Sequence, residues 1–109
     1  MFHMLSCFDL KTGVSIDDFQ KSNDRFILHM QKQQLVKTAG SVGKRNRHPI
    51  MDTDKASSQE YFYIMTFIDE DQCNRAVDCI LSHNEPEDTI HSDIMTKIQN
   101  HKFICWEDV

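Results

Sequence analysis

No stretch of the chain approaches the roughly 20 consecutive apolar residues of a membrane-spanning helix, so no spanning segment is expected. Positive charge is in deficit as well. Twelve Lys plus Arg against seventeen Asp plus Glu give a formal charge of −5, a balance that disfavours a general grip on phosphate backbones. Nucleic acid is therefore not an expected partner. None of the four cysteines, Cys7, Cys73, Cys79 and Cys105, has C-x-x-C spacing, and each lies in an apolar-patterned segment, as buried free thiols do. The first ten residues carry no basic stretch and no long apolar run, so no export signal is read. With reduced thiols, this predicts a cytoplasmic protein. Among the six histidines, His3, His29, His48, His83, His91 and His101, no pair has the i, i+4 spacing that places two imidazoles on one helical face. The nearest approach to a ligand set is His48 with Asp52 and Asp54, and turn-rich loops use Asp for backbone capping. No metal and no other cofactor is expected. Internal repeats and low-complexity segments are absent too.

What is present is the composition of one globular domain over residues 1–109, with 39% hydrophobic and 27% charged residues. Phe2 to Phe8 reads as a first strand, closed by the turn chemistry of Asp9 to Gly13. Ser15 stands three residues before Asp18, a capping signal. The apolar stripe Ile16, Phe19, Phe26 and Met30 then carries a helix to about Gln34, interrupted by Asn23. Leu35 to Arg47 reads as a weaker strand in which Gly40 and Gly43 allow bends or bulges. A polar loop follows, from Pro49 to Glu60. Tyr61 to Ile68 is a strand by its aromatic and β-branched content. Cys73, Ala76, Val77, Ile80 and Leu81 then mark a helix capped by Asp69. Past the acidic turn at Glu85 to Asp88, Ile90, Ile94, Met95 and Ile98 suggest a short extra helix, and Lys102 to Glu107 forms the last strand.

The order β-α-β-β-α-(α)-β predicts an α+β domain of ferredoxin-like type, an antiparallel sheet with helices on one face. Both parities of the strong strands are apolar. Tyr61, Tyr63, Met65 and Phe67 alternate with Phe62, Ile64 and Ile68, and Ile104 and Trp106 with Phe103 and Cys105. An antiparallel sheet with one wet face alternates apolar with polar residues, so the second face here requires a cover. The extra helix or the 48–60 loop is one solution, and a second copy of the sheet is the one expected, which predicts a homodimer through the sheet face.

In this topology the chain resembles the dimeric α/β-barrel superfamily, in which two ferredoxin-like subunits close a shared barrel. In its segments 1–10, 47–54, 60–62 and 103–108 it is similar to an uncharacterised family of small, largely marine bacterial proteins. The superfamily includes cofactor-independent monooxygenases of aromatic substrates, lactone isomerases, haem-handling enzymes and regulatory ligand-binding domains. Asn23 and Trp106 are residue types used by its haem-degrading branch, but neither has the matching context, so the resemblance transfers no catalytic residue.

Two classes of function follow. In the first, a binding module holds a small organic or anionic ligand. In the second, a cofactor-independent monooxygenase or isomerase acts on a small aromatic or organic acid, with His or Tyr moving a proton and Arg holding an anionic group. The candidate residues are Arg45, Arg47, His48, Tyr63 and Trp106. Lys44, Arg45 and Arg47 form the densest basic cluster, although such clusters are ordinarily solvated. His48 before Pro49 also suits an extended turn. Tyr63 and Trp106 also suit a core or an interface, with a hydrogen-bonded polar tip.

Overall fold

A computed structural model describes residues 1–109. Its elements are β1 (Phe2–Leu10), α1 (Ile16–Lys32), β2 (Thr38–Ala39), β3 (Gly43–Lys44), β4 (Tyr61–Phe67), α2 (Glu70–Leu81), α3 (Glu87–Met95) and β5 (Ile98–Glu107). Helices begin where the caps predict. Ser15 Oγ accepts from Asp18 N at 3.1 Å, and Asp69 Oδ1 from Gln72 N at 2.8 Å. Each bond satisfies one of the amides that a helix N-terminus leaves without an internal partner. Gln72 Oε1 reciprocates by accepting from Ile68 N at 2.7 Å.

The strands form one antiparallel sheet in the order β2-β4-β1-β5, with β3 also on β4. Central β1 lies between β4 and β5. The weak strand expected over 35–47 is realised as two short pieces. Ala39 pairs with Met65 and Gly43 with Phe62, four steps on one side against three on the other. The extra residue is a bulge, placed where Gly40 and Gly43 offer little side chain to pack. The last strand starts earlier than expected, at Ile98. Its register against β1 slips between Cys7 and Asp9, where Asn100 takes φ 53°, a conformation that Asn tolerates.

Met4, Ser6 and Phe8 of β1, with Tyr63, Met65 and Phe67 of β4, face the helices. Between the layers lies the core, in which Phe8 and Phe19 are fully buried with ring centroids 4.6 Å apart. α3 packs chiefly on α1, and less on α2 and β5. The extra helix therefore thickens the covered side. Asn23, the interruption in the α1 stripe, is buried, and its Oδ1 has no hydrogen-bond partner.

The opposite sheet face holds three rows read across β4, β1 and β5: Ile64–Leu5–Ile104, Thr66–His3–Trp106 and Phe62–Cys7–Lys102. Ile64, Ile104 and Trp106 are 38%, 48% and 38% exposed. No helix covers them. The 45–58 loop reaches only one end, where Cys7 is buried and feels the charges of Lys102, Arg45 and Asp54. The cysteines are all free, but the expectation of uniform burial fails at Cys105, which is exposed on the uncovered outer strand, and at the half-buried Cys79. No helix is long and apolar enough to cross a membrane.

Candidate ligand cavity

Between sheet and helices lies a cavity of about 280 Å³, and 19 of its 21 lining residues are hydrophobic. All three helices contribute, and Val77, Leu81 and Phe103, all exposed, bring its lining to the surface. Polar atoms enter at three places. Tyr63 projects from β4, Ser6 from the adjacent position on β1, and His91 from α3. Burial pushes the Tyr63 phenol above its ordinary value. Ser6 Oγ is buried without a hydrogen-bond partner, a costly state for a hydroxyl. Burial lowers the His91 pKa, so the ring is held neutral. The ring packs 5.7 Å from that of Phe26. No Lys, Arg, Asp or Glu lines the cavity.

The five residues singled out by sequence fall in three places. Tyr63 alone lines the cavity. Arg45 anchors the loop after β3. Its Nε donates to Asp52 Oδ2 and its Nη2 to Asp52 Oδ1, both at 2.7 Å, while Nη1 reaches Ser57 O and Nη2 reaches Asp54 O, both at 2.6 Å. That fork holds the Asp52 carboxyl below its ordinary range and raises Arg45 above its own. Arg45 thus has its guanidinium committed to its own loop. Arg47 is exposed on the same loop. His48 Nδ1 accepts from the amides of Ile50 at 3.2 Å and Met51 at 3.0 Å, closing a turn after the Pro49 junction. Trp106 lies on the uncovered face, stacked on His3 with centroids 5.1 Å apart.

Ser6 and His91 belong to the cavity and escaped the sequence reading. Ser6 had a faint signal, since it is the polar residue at an inward position of a strand whose neighbours there, Met4 and Phe8, are apolar. His91 had less, because its place beside Ile94 and Met95 becomes meaningful only once α3 is docked.

A second recess of about 320 Å³ lies at the far end of the sheet, lined by Met1, Phe2, Ile68, Asp69, Glu70, Asp71, Glu107 and Asp108. Its carboxylates are partly occupied. Asp69 caps α2, and Asp108 Oδ1 is 2.7 Å from His3 Nε2, with Oδ2 3.4 Å from the Met1 amine. No group of three or more His, Cys, Asp or Glu residues is arranged to hold a metal ion.

Neither a protein-family model nor a curated protein matches the chain. Solved structures do. A protein of Arabidopsis thaliana superposes with a TM-score of 0.75 at 9% identity, covering 100% of this chain and 96% of its own. A protein from Jannaschia sp. described as dimeric, ferredoxin-like and of unknown function superposes with a TM-score of 0.64 at 11% identity, covering 98% of each chain. The fold is ferredoxin-like. An antibiotic biosynthesis monooxygenase shares this ferredoxin-like architecture with a TM-score of 0.61 at 14% identity, covering 100% of this chain and 99% of its own. Over the ferredoxin-like frame, α3 is the addition to the basic β-α-β-β-α-β order, and it supplies His91 to the cavity.

Proposed function

We propose that the protein is a homodimer, joined sheet face to sheet face, in which each subunit binds one small uncharged organic molecule between its sheet and its helices. The observation that carries the ligand reading is the cavity lining: apolar almost throughout, without a charged side chain, and with the unpartnered Ser6 hydroxyl beside the Tyr63 phenol. A ligand carbonyl or hydroxyl would satisfy that pair, and a ligand carboxylate would find no cation there. The volume lies between the roughly 150 Å³ that admits benzene and the roughly 300 Å³ where drug-sized sites begin. A one- or two-ring molecule, or a short apolar chain with a polar end, fits that range. The dimer reading rests on the uncovered rows of Ile64, Leu5 and Ile104 and on the dimeric state given for the Jannaschia neighbour. It also agrees with a cytoplasmic location, where the four free thiols stay reduced.

Native mass spectrometry of the purified protein tests the ligand reading. A dimer carrying extra mass removable by organic solvent is expected. An empty protein that gives no thermal shift with a panel of neutral aromatic and alkyl ketones and alcohols would sink it.

A second reading is catalytic. The neighbour that is an antibiotic biosynthesis monooxygenase favours it, as do two proton-carrying groups in the lining, Tyr63 and the neutral imidazole of His91. The same ligand panel, followed by product analysis after incubation in air, separates turnover from simple binding. His91→Phe then abolishes turnover with retention of binding if the imidazole moves a proton.

A further inference from the structure

The exposed members of the cavity lining, Val77 and Leu81 on α2 and Phe103 on β5, place its mouth between those two elements. α2 packs on β4 and α3 and at most weakly on β5, and every residue of β5 after Ile98 is exposed. A cysteine extends each lip of that mouth. On α2, Cys73 is buried, lines the cavity and precedes Val77 by four residues, so the two share a helical face. On β5, Cys105 is exposed and follows Phe103 by two residues, so the two share a sheet face. Its partner in register is Met4, itself a lining residue. Cys105 is therefore on the helix side of the sheet, and the dimer reading above leaves it open. The two elements also agree in direction. α2 starts, and β5 ends, at the recess lined by Glu70, Asp71 and Glu107; Cys73 stands three residues in from Glu70, and Cys105 two in from Glu107.

The surroundings of Cys73 point the same way. Burial pushes its thiol up, and the nearness of Cys105 and then of Glu70 adds to that. The other two thiols are placed elsewhere. Cys7 is on the opposite face of the sheet, in the row Phe62–Cys7–Lys102. Cys79 is six residues from Cys73, about 240° around the helix, and its Sγ lies 3.5 Å from Glu87 Oε1.

We propose that Cys73 and Cys105 are a thiol pair that oxidises to a disulfide across the mouth of the cavity. In a reducing compartment both are thiols at rest, and a disulfide there is transient and redox-sensing. The oxidant is a low-molecular-weight disulfide such as oxidised glutathione. Cys105, the exposed partner, reacts first: its thiolate attacks one sulfur of that disulfide, forms a mixed disulfide and releases one glutathione thiolate. The Cys73 sulfur then attacks the Cys105 sulfur and displaces the second glutathione. Two protein thiols are oxidised, one external disulfide is reduced to two thiols, and the two protein protons pass to the leaving thiolates. A disulfide holds its Cα atoms within about 7 Å of each other, so linkage pins the first turn of α2 against β5. In the ligand reading above, on which this last step rests, the pinned mouth slows entry and release of the bound molecule.

The pair is tested on the full chain incubated in glutathione buffers of rising oxidised fraction, alkylated, and digested with trypsin without reduction. Cys73 falls in the tryptic peptide 56–75 and Cys105 in 103–109. These two peptides joined are the expected product, from an intact chain lighter by two hydrogens. Cys73→Ala should instead accumulate glutathione on Cys105, because the resolving thiol is gone, and Cys105→Ser, at an exposed position, should give neither product. A mixed disulfide that persists on Cys105 of the unaltered chain, or linkage of Cys105 between two chains, overturns the proposal. Closure is read separately with a neutral dimethylamino-naphthyl ketone whose emission reports an apolar site. Slower release from the linked chain than from the reduced chain is expected, and equal release overturns closure. A fluorophore that binds neither form counts against the ligand reading, while the joined peptide decides the thiol pair without it.

Discussion

Arg45 illustrates how a residue type that suits ligand binding becomes structural once its neighbours are placed. Its bidentate pairing with Asp52 and its two carbonyl bonds use geometry that a lysine lacks. Arg45→Ala and Arg45→Lys should both accelerate tryptic cleavage within the 47–55 loop and lower the melting temperature. Arg47→Ala, at an exposed side chain, should leave the melting temperature unchanged. Limited proteolysis with a thermal melt distinguishes the three. Ser6 is the complementary case. If its hydroxyl has no other role, Ser6→Val removes a buried unsatisfied polar atom and raises the melting temperature of ligand-free protein. As a ligand anchor it also weakens binding, about threefold to tenfold for one neutral hydrogen bond. Isothermal titration with a molecule recovered from the native protein measures that second effect.

Elements inherit their limits from short-range chemistry and their strength from packing. Ser15 caps α1 through one bond to Asp18 N, so Ser15→Ala should cost about 1 kcal/mol in urea denaturation. Phe19, one turn further on, is 0% exposed between the α1 stripe and Phe8. Phe19→Ala should cost about 3–5 kcal/mol, the loss expected for an aromatic ring removed from a closed core. The ratio matters more than either number, because it shows that α1 is held by its buried face more than by its end. The caps, the α1 and α2 stripes and the aromatic run of β4 could be located from sequence, since each is a pattern within one segment. The divided edge, β2 and β3, could not be resolved in that way. Its break depends on how Ala39 and Gly43 register against Met65 and Phe62, which is a relation between segments. Likewise Ile98 reads in isolation as the end of the extra-helix stripe and Gln99 to His101 as polar chain, and they become strand because Asp9 and Leu10 lie opposite Gln99 and Ile98.

For the whole molecule, pH acts through groups on both flanks of neutrality. Asp52, Asp54, Asp93, Asp108 and Glu87 all have lowered pKa values, through bonds to Arg45, Ser57, Lys97, His3 and the backbone at Glu87 respectively. Their contribution is present above ordinary carboxylate values and is lost as pH falls through the lowered ones. The lowered pKa of His91 acts from higher pH: the folded state prefers the neutral ring, so stability declines as pH drops below the ordinary 6.5. Cys7, Cys73, Cys79 and Tyr63 are raised, all chiefly by burial, so their contribution is full below ordinary values of 9.0 and 10.0 and is lost as pH rises through the raised ones. Thermal melts should therefore show a plateau from about pH 6.5 to 9 with a fall on each side, and His91→Phe should move the onset of the acid-side fall to lower pH. Assembly is tested on the uncovered face. Ile104→Asp, at a 48% exposed position, should yield a stable monomer of 12.8 kDa by light scattering, with the monomer fold intact by circular dichroism. A variant that still elutes as a dimer would remove the sheet face from the interface.

Residue order alone determined the ferredoxin-like class and the order of the elements apart from the division into β2 and β3, because periodicity, capping and β-branched content act over a few residues and survive without knowledge of the partner segment. It also showed that the sheet is apolar on both sides, since strand alternation is written in the chain. Tertiary structure alone decided which residues share a site. It put Tyr63 with Ser6 and His91, sent Trp106 to the opposite face, and tied Arg45 to Asp52 across a loop. The physical reason is that a side chain's function depends on what lies within a few ångströms of it. Those neighbours come from strand register and helix docking, where Ser6 meets Tyr63 from 57 positions away in the chain.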